Sequence, residues 1–383
     1  AMPENDYRPR RDDPRMGYFA TRRTNQTSAS SAPWNDLIPR WHLVKKDPGV
    51  ELSDPVEPIV WWIENTTPVE VREAIREGVL AWNEAFEQAG FSNAIEVKVQ
   101  PDDADWDAGD LRYNVLRWTS SPQPPFGGYG PSWVNPRTGQ IIGSDIMLEY
   151  VFVTNRVRQD HLFATALLED DGHGIEGDQF CDVSHRMQLN NMVGRAVLKA
   201  RGVSAEEEAE LVRQSIYMLV LHEVGHAIGL NHNFIASQLL SPDELYSAQI
   251  TRERGLSASV MDYTPANLAP PGREQGLYYE IRPGVYDRWA IEYGYSEALD
   301  DAEAEEARLS GILARSTEPG HGFGNDADDM RAPGVGIDPL IMIGDYSSDA
   351  IGYAEDRLRL LEATTSELLS RYEAEGESYQ ELY

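Results

Sequence analysis

Three of the eight histidines in this chain lie within eleven residues, and this cluster constrains the fold more than any other feature. They occur in the segment Leu221-His222-Glu223-Val224-Gly225-His226-Ala227-Ile228-Gly229-Leu230-Asn231-His232. His222 and His226 are four residues apart, so on a helix their imidazoles share one face and can bind one metal ion. Glu223 projects about 100° further round the helix, beside that ion, which suits a general base rather than a ligand.

The end of this helix is predicted to complete the metal site. Gly229 can adopt a positive φ and stop the helix abruptly, so that the chain turns back and His232 joins the other two histidines. Three neutral imidazoles leave a fourth coordination position for water, which is typical of a catalytic metal site. The alternative is three core histidines satisfied by hydrogen bonds, and their clustering argues against it. The other histidines are each expected to be surface or core residues, not ligands: His42, His161, His173, His185 and His321.

Composition excludes several classes of function. The chain has 383 residues, of which 41% are hydrophobic, which is enough for one large domain or two modest ones. Its net charge of -31 repels phosphate backbones, so nucleic acid is excluded as a partner. No segment approaches the roughly eighteen uninterrupted apolar residues of a membrane helix, so membrane insertion is excluded as well. A single cysteine, Cys181, rules out a multi-cysteine metal site, which leaves histidine and carboxylate as ligands.

Hydrophobic periodicity predicts a mixed sheet in the first half of the chain. The predicted strands are Ile59–Ile63, Ile95–Val99 and 113–118, with a helix whose apolar stripe runs over 71–86 and which ends at Gly90. Residues 129–134 and 141–148 are predicted to form a hairpin, joined by a turn at 135–139.

The second half is predicted to be mainly helical. A helical insertion is expected over 156–200, and Ser204 with Glu207 forms a capping-box pattern before a helix that continues through Ile228. Further helices are predicted over 285–293 and 354–372, with an acidic stretch at 297–306.

The histidine segment is followed by a methionine-containing turn, Ser259-Val260-Met261-Asp262-Tyr263, in which the methionine lies 29 residues beyond His232. This combination resembles the signature of the metzincin zinc endopeptidases. Over nearly the whole chain, the order of the motifs and their residues resemble the catalytic part of a bacterial family of large zinc-dependent metalloproteases. The segments that carry this resemblance include 13–19, 135–139 and 286–289.

The resemblance implies a mixed α/β (α+β), metzincin-like zincin fold with a cleft between two subdomains. Residues 1–52 would form an extended arm, and 53–232 an upper catalytic subdomain with a twisted, mixed five-stranded sheet and the histidine helix. Residues 233–383 would form a lower, helical and irregular subdomain. Met261 would lie beneath the zinc as an apolar floor. Tyr263 would contact the metal or the reacting oxyanion, with a tyrosine that only packs under the cleft as the alternative.

The resemblance also implies a function, zinc-dependent hydrolysis of peptide bonds. One Zn²⁺ ion would activate a bound water, with Glu223 as its base. The substrate, a protein or peptide, would pair with an edge strand; the alternative is a hairpin without a ligand role. Two other functions stay open, a zinc amidase on a non-peptide or cell-wall amide and a catalytically silent binding module. The expected substrate-binding residues are Gly128, Tyr129, Gly130, Ser132 and Trp133.

Three weaker expectations concern the setting of the site. A secreted or periplasmic location and further domains of a longer precursor follow from the habits of the family, not from any residue. The acidic loops 169–178 and 325–329 are interpreted as solvated, with structural Ca²⁺ as the less favoured alternative. The arm is interpreted as a tether, and a zinc-blocking aspartate at Asp12 or Asp13 is the alternative.

Overall fold

A five-stranded mixed sheet forms the centre of the first half of the molecule. The computed structural model describes residues 2–120, 128–149, 183–330 and 338–372. Strand order in the sheet is β2-β1-β3-β7-β4, and β5 pairs with β6 in a separate two-stranded sheet. The strands are β1 Ile59–Ile63, β2 Ile95–Val99, β3 Asn114–Thr119, β4 Gly128–Tyr129, β5 Ser132–Val134, β6 Ile141–Ser144 and β7 Ile146–Glu149.

Strand direction places one antiparallel strand at the edge of this sheet. β1 runs parallel to both β2 and β3, and β3 runs parallel to β7 with Leu116 opposite Ile146. β4 runs antiparallel to β7, with Tyr129 opposite Met147. The predicted mixed α/β class and the mixed five-stranded sheet are therefore confirmed.

The predicted hairpin over 129–148 is wrong in part, because both of its strands are interrupted. Ser132 pairs with Ser144 in the small sheet, whereas Gly128 pairs with Leu148 in the large one. Pro131 stands at the interruption, and proline cannot donate to a ladder. Its carbonyl oxygen accepts hydrogen bonds from the Ser144 hydroxyl at 2.9 Å and from the backbone N–H of Asp145 at 3.2 Å.

Helices cover one face of the sheet and make up most of the second half. They are α1 Val69–Leu80, α2 Asn83–Gln88, α3 Val183–Arg201, α4 Ala205–Ala227, α5 Pro242–Leu245, α6 Ala248–Arg254, α7 Val285–Tyr295, α8 Ala302–Leu313 and α9 Ala350–Tyr372, with 3₁₀ turns at Ala236–Leu239 and Ala314–Thr317. The predicted helices over 285–293 and 354–372 correspond to α7 and α9. Part of the predicted acidic stretch at 297–306 belongs to α8. The predicted insertion lies partly outside the described residues, and 183–201 of it is helical.

One predicted helix, over 71–86, is two helices, because tertiary contacts break it after Leu80. The indole of Trp82 donates to the carbonyl of Leu221 on α4 at 2.8 Å. The side chain of Asn83 bonds the backbone of Ile95 in both directions, at 2.9 and 3.0 Å. These bonds tie the junction to the sheet and to α4 at the same time.

The helix α4 carries two of the three clustered histidines and is buried along its second half. It begins where the sequence predicts, because the Ser204 side chain accepts from the backbone of Glu207 and the Glu207 side chain accepts from the backbone of Ser204. A single hydrophobic core joins β1, α4 and α7, with Trp61, Trp82 and Trp289 all fully buried in it. The helix that carries the histidines therefore packs in the same core as β1 and α7.

Residues 2–52 contain isolated β-bridges in place of helices or strands. They are nevertheless anchored, because Tyr7, Met16, Tyr18 and Ile38 are buried. The division into an arm and two subdomains stays a prediction. None of the helices in the described ranges combines the length and apolar character that a bilayer crossing requires.

Candidate metal centre

Three imidazoles converge where α4 ends. His222, His226 and His232 are buried, and each offers a nitrogen that lies within 4.8 Å of those of the other two. The Nε2 atoms of His226 and His232 are 3.1 Å apart. Among the described residues this is the group of histidine, cysteine and acidic side chains with the spacing of a metal site.

The outer nitrogen of each imidazole is held by an oxygen acceptor. Nδ1 of His222 lies 2.7 Å from the carbonyl oxygen of Val260, and Nδ1 of His226 lies 2.9 Å from that of Leu230. Nδ1 of His232 lies 2.7 Å from a carboxylate oxygen of Asp326. A carbonyl or carboxylate oxygen can only accept here, so Nδ1 carries the proton in all three rings. Each Nε2 is left with its lone pair directed inward.

Burial keeps the imidazoles of His222 and His226 neutral. It lowers the pKa of His222 well below the usual histidine range, and the neighbouring histidines add to the shift. It lowers the pKa of His226 to about 3, again with help from His232. Neutral imidazole is the form that binds a metal.

The donor set fits a zinc ion. Lone pairs on two nitrogens 3.1 Å apart repel each other, and neither nitrogen can donate to the other. A divalent cation among three such nitrogens removes the repulsion, and zinc accepts imidazole ligands with a fourth position left for water.

Gly229 shapes the turn that brings His232 to the other two. Its φ is +104°, and a Cβ built on it would lie 2.1 Å from the carbonyl oxygen of Pro39. Both the conformation and the space therefore require glycine. The helix ends at Ala227, as the sequence predicts to within one residue.

The methionine-containing turn lies directly against the histidines. Met261 is fully buried, and a Cβ built on Gly225 would meet its sulfur at 2.3 Å, so the thioether packs tightly beneath α4. The hydroxyl of Tyr263 lies 3.0 Å from Nε2 of His232. The ring centroids of the same two residues are 4.6 Å apart.

This geometry agrees with the comparison against known families. Residues 204–383, from the cap of α4 onward, match a family model described as Met-zincin. This part of the chain is therefore similar to the Met-zincin family. No curated protein and no solved structure gives a significant match to the chain. The predicted metzincin resemblance is thereby confirmed for this part of the chain, and over residues 1–203 it stays a prediction.

A buried carboxylate whose role the sequence analysis missed supports the methionine-containing turn. Asp287, on α7, accepts from the Ser259 hydroxyl at 2.6 Å and from the backbone N–H groups of Val260 at 2.9 Å and Gly284 at 2.7 Å. Burial raises its pKa to about 6, although these bonds act in the opposite direction. Since the Val260 carbonyl holds His222, Asp287 supports a candidate ligand through one intervening residue.

Asp326 is a second residue that the sequence analysis missed. Its carboxylate pairs with Nδ1 of His232 although 94 residues separate them. Burial raises its pKa, but the hydrogen bond from Nδ1 of His232 acts in the opposite direction, and the pKa lies below its usual range. The acidic loop 325–329 was interpreted as solvated or calcium-binding. One member of that loop, Asp326, contacts the third histidine while 56% of its side chain is exposed to solvent. The loop 169–178 lies outside the described residues.

A cavity of about 300 Å³ opens beside the three histidines. Glu223 is fully buried and lines it, as the position beside the metal face of α4 predicts. Its other lining residues come from the histidine segment, from the start of the chain and from the region of β5 and β6. They are Phe19, Ala20, Thr21, Pro39, Gly130, Pro131, Ser132, Val134, Ile141, His226, Gly229 and His232.

Two of the predicted substrate-binding residues, Gly130 and Ser132, line this cavity. A Cβ built on Gly130 would lie 3.4 Å from a carboxylate oxygen of Glu223, so this glycine leaves room next to the carboxylate. Trp133 instead packs over Gly143. Gly128 and Tyr129 form β4, whose backbone pairs antiparallel with that of β7 at the sheet edge.

Proposed function

We propose that this Met-zincin domain is a zinc-dependent endopeptidase. The observation that carries the proposal is the convergence of three Nε2 atoms next to the buried carboxylate of Glu223. His222, His226 and His232 would hold the ion. Three protein ligands and an adjacent carboxylate are typical of catalytic zinc sites rather than structural ones.

Glu223 is the proposed proton carrier. Zinc, when bound, supplies a Lewis acid that polarises a carbonyl and lowers the pKa of water toward about 7. The carboxylate of Glu223 takes the proton from the attacking water and afterwards delivers it to the departing amine nitrogen. Its complete burial favours proton transfer, since bulk water is kept from the carboxylate.

Tyr263 is the proposed oxyanion donor. Its hydroxyl reaches Nε2 of His232 at 3.0 Å, so it already points to the place where the nitrogens converge. The hydroxyl can donate a hydrogen bond to the oxygen of the attacked carbonyl as negative charge develops there. A tyrosine that served only to pack would not need its hydroxyl at that point.

The surroundings of the cavity favour a peptide substrate. Among the strands of the described residues β4 lies at the end of the order, and an edge strand can accept an extended peptide by backbone hydrogen bonds. Gly130, which follows β4, leaves space for a second backbone beside Glu223. The cavity wall is mostly apolar, with Phe19, Val134 and Ile141 among its members, so we infer a preference for uncharged apolar side chains next to the cleaved bond.

The test compares Glu223→Gln with the parent on a mixed peptide library, with zinc content measured in both. The variant is expected to bind zinc as the parent does and to lose at least about a thousandfold in cleavage rate, because the amide cannot take the proton. Glu206→Gln is the matched control, since Glu206 is exposed on the first turn of the same helix.

Three outcomes would contradict the proposal. Near-parental cleavage by Glu223→Gln would remove the base from the mechanism. A zinc-loaded parent that cuts amide cross-links but no peptide would indicate the amidase. A zinc-loaded parent that binds peptides and cuts none would indicate the silent binding module. The secreted or periplasmic location stays a prediction.

A further inference from the structure

The first part of the chain contacts the turn that joins the second and third histidines. We call residues 17–41 the amino-terminal strap. The backbone N–H of Phe19 donates to the carbonyl of Gly229 at 2.9 Å, and the N–H of Asn231 donates to the carbonyl of Gly17 at 2.7 Å. Tyr18 and Leu230 form an antiparallel bridge between these two bonds. The strap thus adds one short strand to the turn.

The strap also covers the carboxyl end of α4. The last carbonyls of a helix lack partners within the helix and must find them elsewhere. The indole of Trp41 donates to the carbonyl of Ala227 at 2.9 Å. The hydroxyl of Tyr295, on α7, donates to that of Ile228 at 2.7 Å. The carbonyl of Pro39 lies against Gly229, which leaves that glycine no room for a side chain.

The strap itself is anchored to α7. The Tyr18 side chain is buried, and its hydroxyl donates to the carbonyl of Ala290 at 2.8 Å. The N–H of Gly17 donates to the hydroxyl of Tyr286 at 2.7 Å. Such anchoring is typical of a permanent part of the fold rather than of a removable blocking segment. The carboxylate of Asp13 accepts from the side chain of Arg15 at 2.7 and 2.8 Å. Asp13 is therefore hydrogen-bonded within the segment that precedes the strap.

We propose that the strap is a positioning element of the metal site. It fixes residues 227–231 so that the Nε2 atoms of His226 and His232 converge before the metal arrives. A turn ordered in advance need not be ordered by the ion, so the strap strengthens metal affinity. The inference rests on the metal-binding part of the proposed function, and affinity can be measured whether or not the protein cleaves peptides.

The first experiment separates the backbone of Phe19 from its side chain, which packs 5.4 Å from the His226 ring. Phe19→Pro removes both the N–H donor and the ring, whereas Phe19→Ala removes only the ring. Zinc affinity is measured by competition with a chromophoric chelator. We expect Phe19→Pro to bind zinc about tenfold more weakly than Phe19→Ala, since outer partners of metal sites affect affinity by about 10- to 100-fold.

A second experiment tests the cap without changing the backbone. Trp41→Phe keeps an aromatic ring and removes the donor to Ala227, and Trp34→Phe is the matched control because Trp34 lies in the same strap and is 62% exposed. We expect Trp41→Phe to weaken zinc binding severalfold and to alter the visible absorption of the cobalt-substituted protein, while Trp34→Phe changes neither.

The positioning role would be overturned if Phe19→Pro and Phe19→Ala bound zinc equally well. It would also be overturned if Trp41→Phe kept the zinc affinity and the cobalt spectrum of the parent. If Phe19→Pro fails to fold, Trp41→Phe alone carries the test. Weakened zinc binding in a protein that cuts no peptide would support the strap and contradict the peptidase.

Discussion

Two groups of buried polar side chains lie close to the methionine-containing turn and differ in the hydrogen bonds that their polar atoms make. The imidazole cluster is His222, His226 and His232, and the carboxylate pair is Glu280 and Asp287. In the pair the oxygens receive donors, such as the N–H of Leu256 on Glu280 at 2.9 Å and the Ser259 hydroxyl on Asp287 at 2.6 Å. In the cluster the outer nitrogens are satisfied, and Nε2 of His226 faces Nε2 of His232 at 3.1 Å.

The difference distinguishes a structural site from a functional one. Buried polar groups are normally hydrogen-bonded, because desolvation without compensation is costly. The carboxylate pair follows this rule and holds the backbone around the methionine turn in place. The imidazole cluster instead brings two nitrogen lone pairs, on His226 and His232, within 3.1 Å of each other, and a cation between the rings would remove their repulsion. We therefore expect the cluster to control metal binding and the pair to control the stability of the metal-free protein.

The largest effect is expected from His226→Gln. Zinc at about a thousand times its Kd should raise the free energy of unfolding of the parent by about 4 kcal/mol, because only the folded protein binds it. The variant should show almost none of this rise in thermal unfolding. His321→Gln is the control, since His321 is also buried but stacks on Trp289 at 4.5 Å, away from the cluster. An unchanged zinc response in His226→Gln would break the comparison.

The next effect is expected from Asp287→Ala. It leaves three donors without an acceptor in the core, so the metal-free protein should lose about 3 kcal/mol of unfolding free energy in urea titrations. Asp300→Ala, at a 97% exposed side chain, should change it by less than about 0.5 kcal/mol. Equal losses in the two variants would mean that the carboxylate has no structural role.

A smaller effect concerns pH. Burial raises the pKa of Glu280 to about 7, so the folded state holds a proton that the unfolded state releases near its ordinary value of 4.5. The resulting stability is fully present below that ordinary value and is lost as the pH rises through about 7. Beside the opposite contribution of His222 and His226, whose pKa values are lowered, Glu280 therefore adds to the stability of the metal-free protein a downward slope of about 2 kcal/mol between about pH 5 and 7.5. Glu280→Gln should flatten this slope, and a slope unchanged by the substitution would refute the assignment.

The smallest effect is expected from Asp326→Asn, which keeps an oxygen acceptor for Nδ1 of His232 but removes the charge. Zinc affinity should fall about fivefold to tenfold, roughly 1 kcal/mol, while the stability of the metal-free protein stays nearly constant. Asp328→Asn, in the same acidic loop, is the control. A loss of stability without a loss of affinity would assign Asp326 to the structural group instead.

Local patterns in the sequence were sufficient for much of the histidine helix. The capping box at Ser204 and Glu207 involves residues three apart, and the histidine spacing follows from one helical turn. Gly229 was predictable because a positive φ selects glycine. Each of these features depends on contacts within a few residues, which a single sequence displays directly.

Errors arose where distant contacts override a local pattern. The stripe over 71–86 reads as one helix because the contacts that break it lie outside the stripe, at Leu221, 139 residues from Trp82, and at Ile95, 12 residues from Asn83. Asp326 had no signal beyond an acidic run, since its partner is 94 residues away. The interrupted hairpin was the exception, because Pro131 marked the interruption in the sequence itself.

The anchoring of Tyr18 to Ala290, 272 residues away, affects the order of events during synthesis. At about 5 to 20 residues per second, a ribosome needs roughly 14 to 54 s to make that intervening length of chain. During this time the hydroxyl of Tyr18 lacks its acceptor on α7. Anchoring of the strap beside the metal site is thus deferred until α7 has been translated, so a site supported by the strap can capture its ion only after that point.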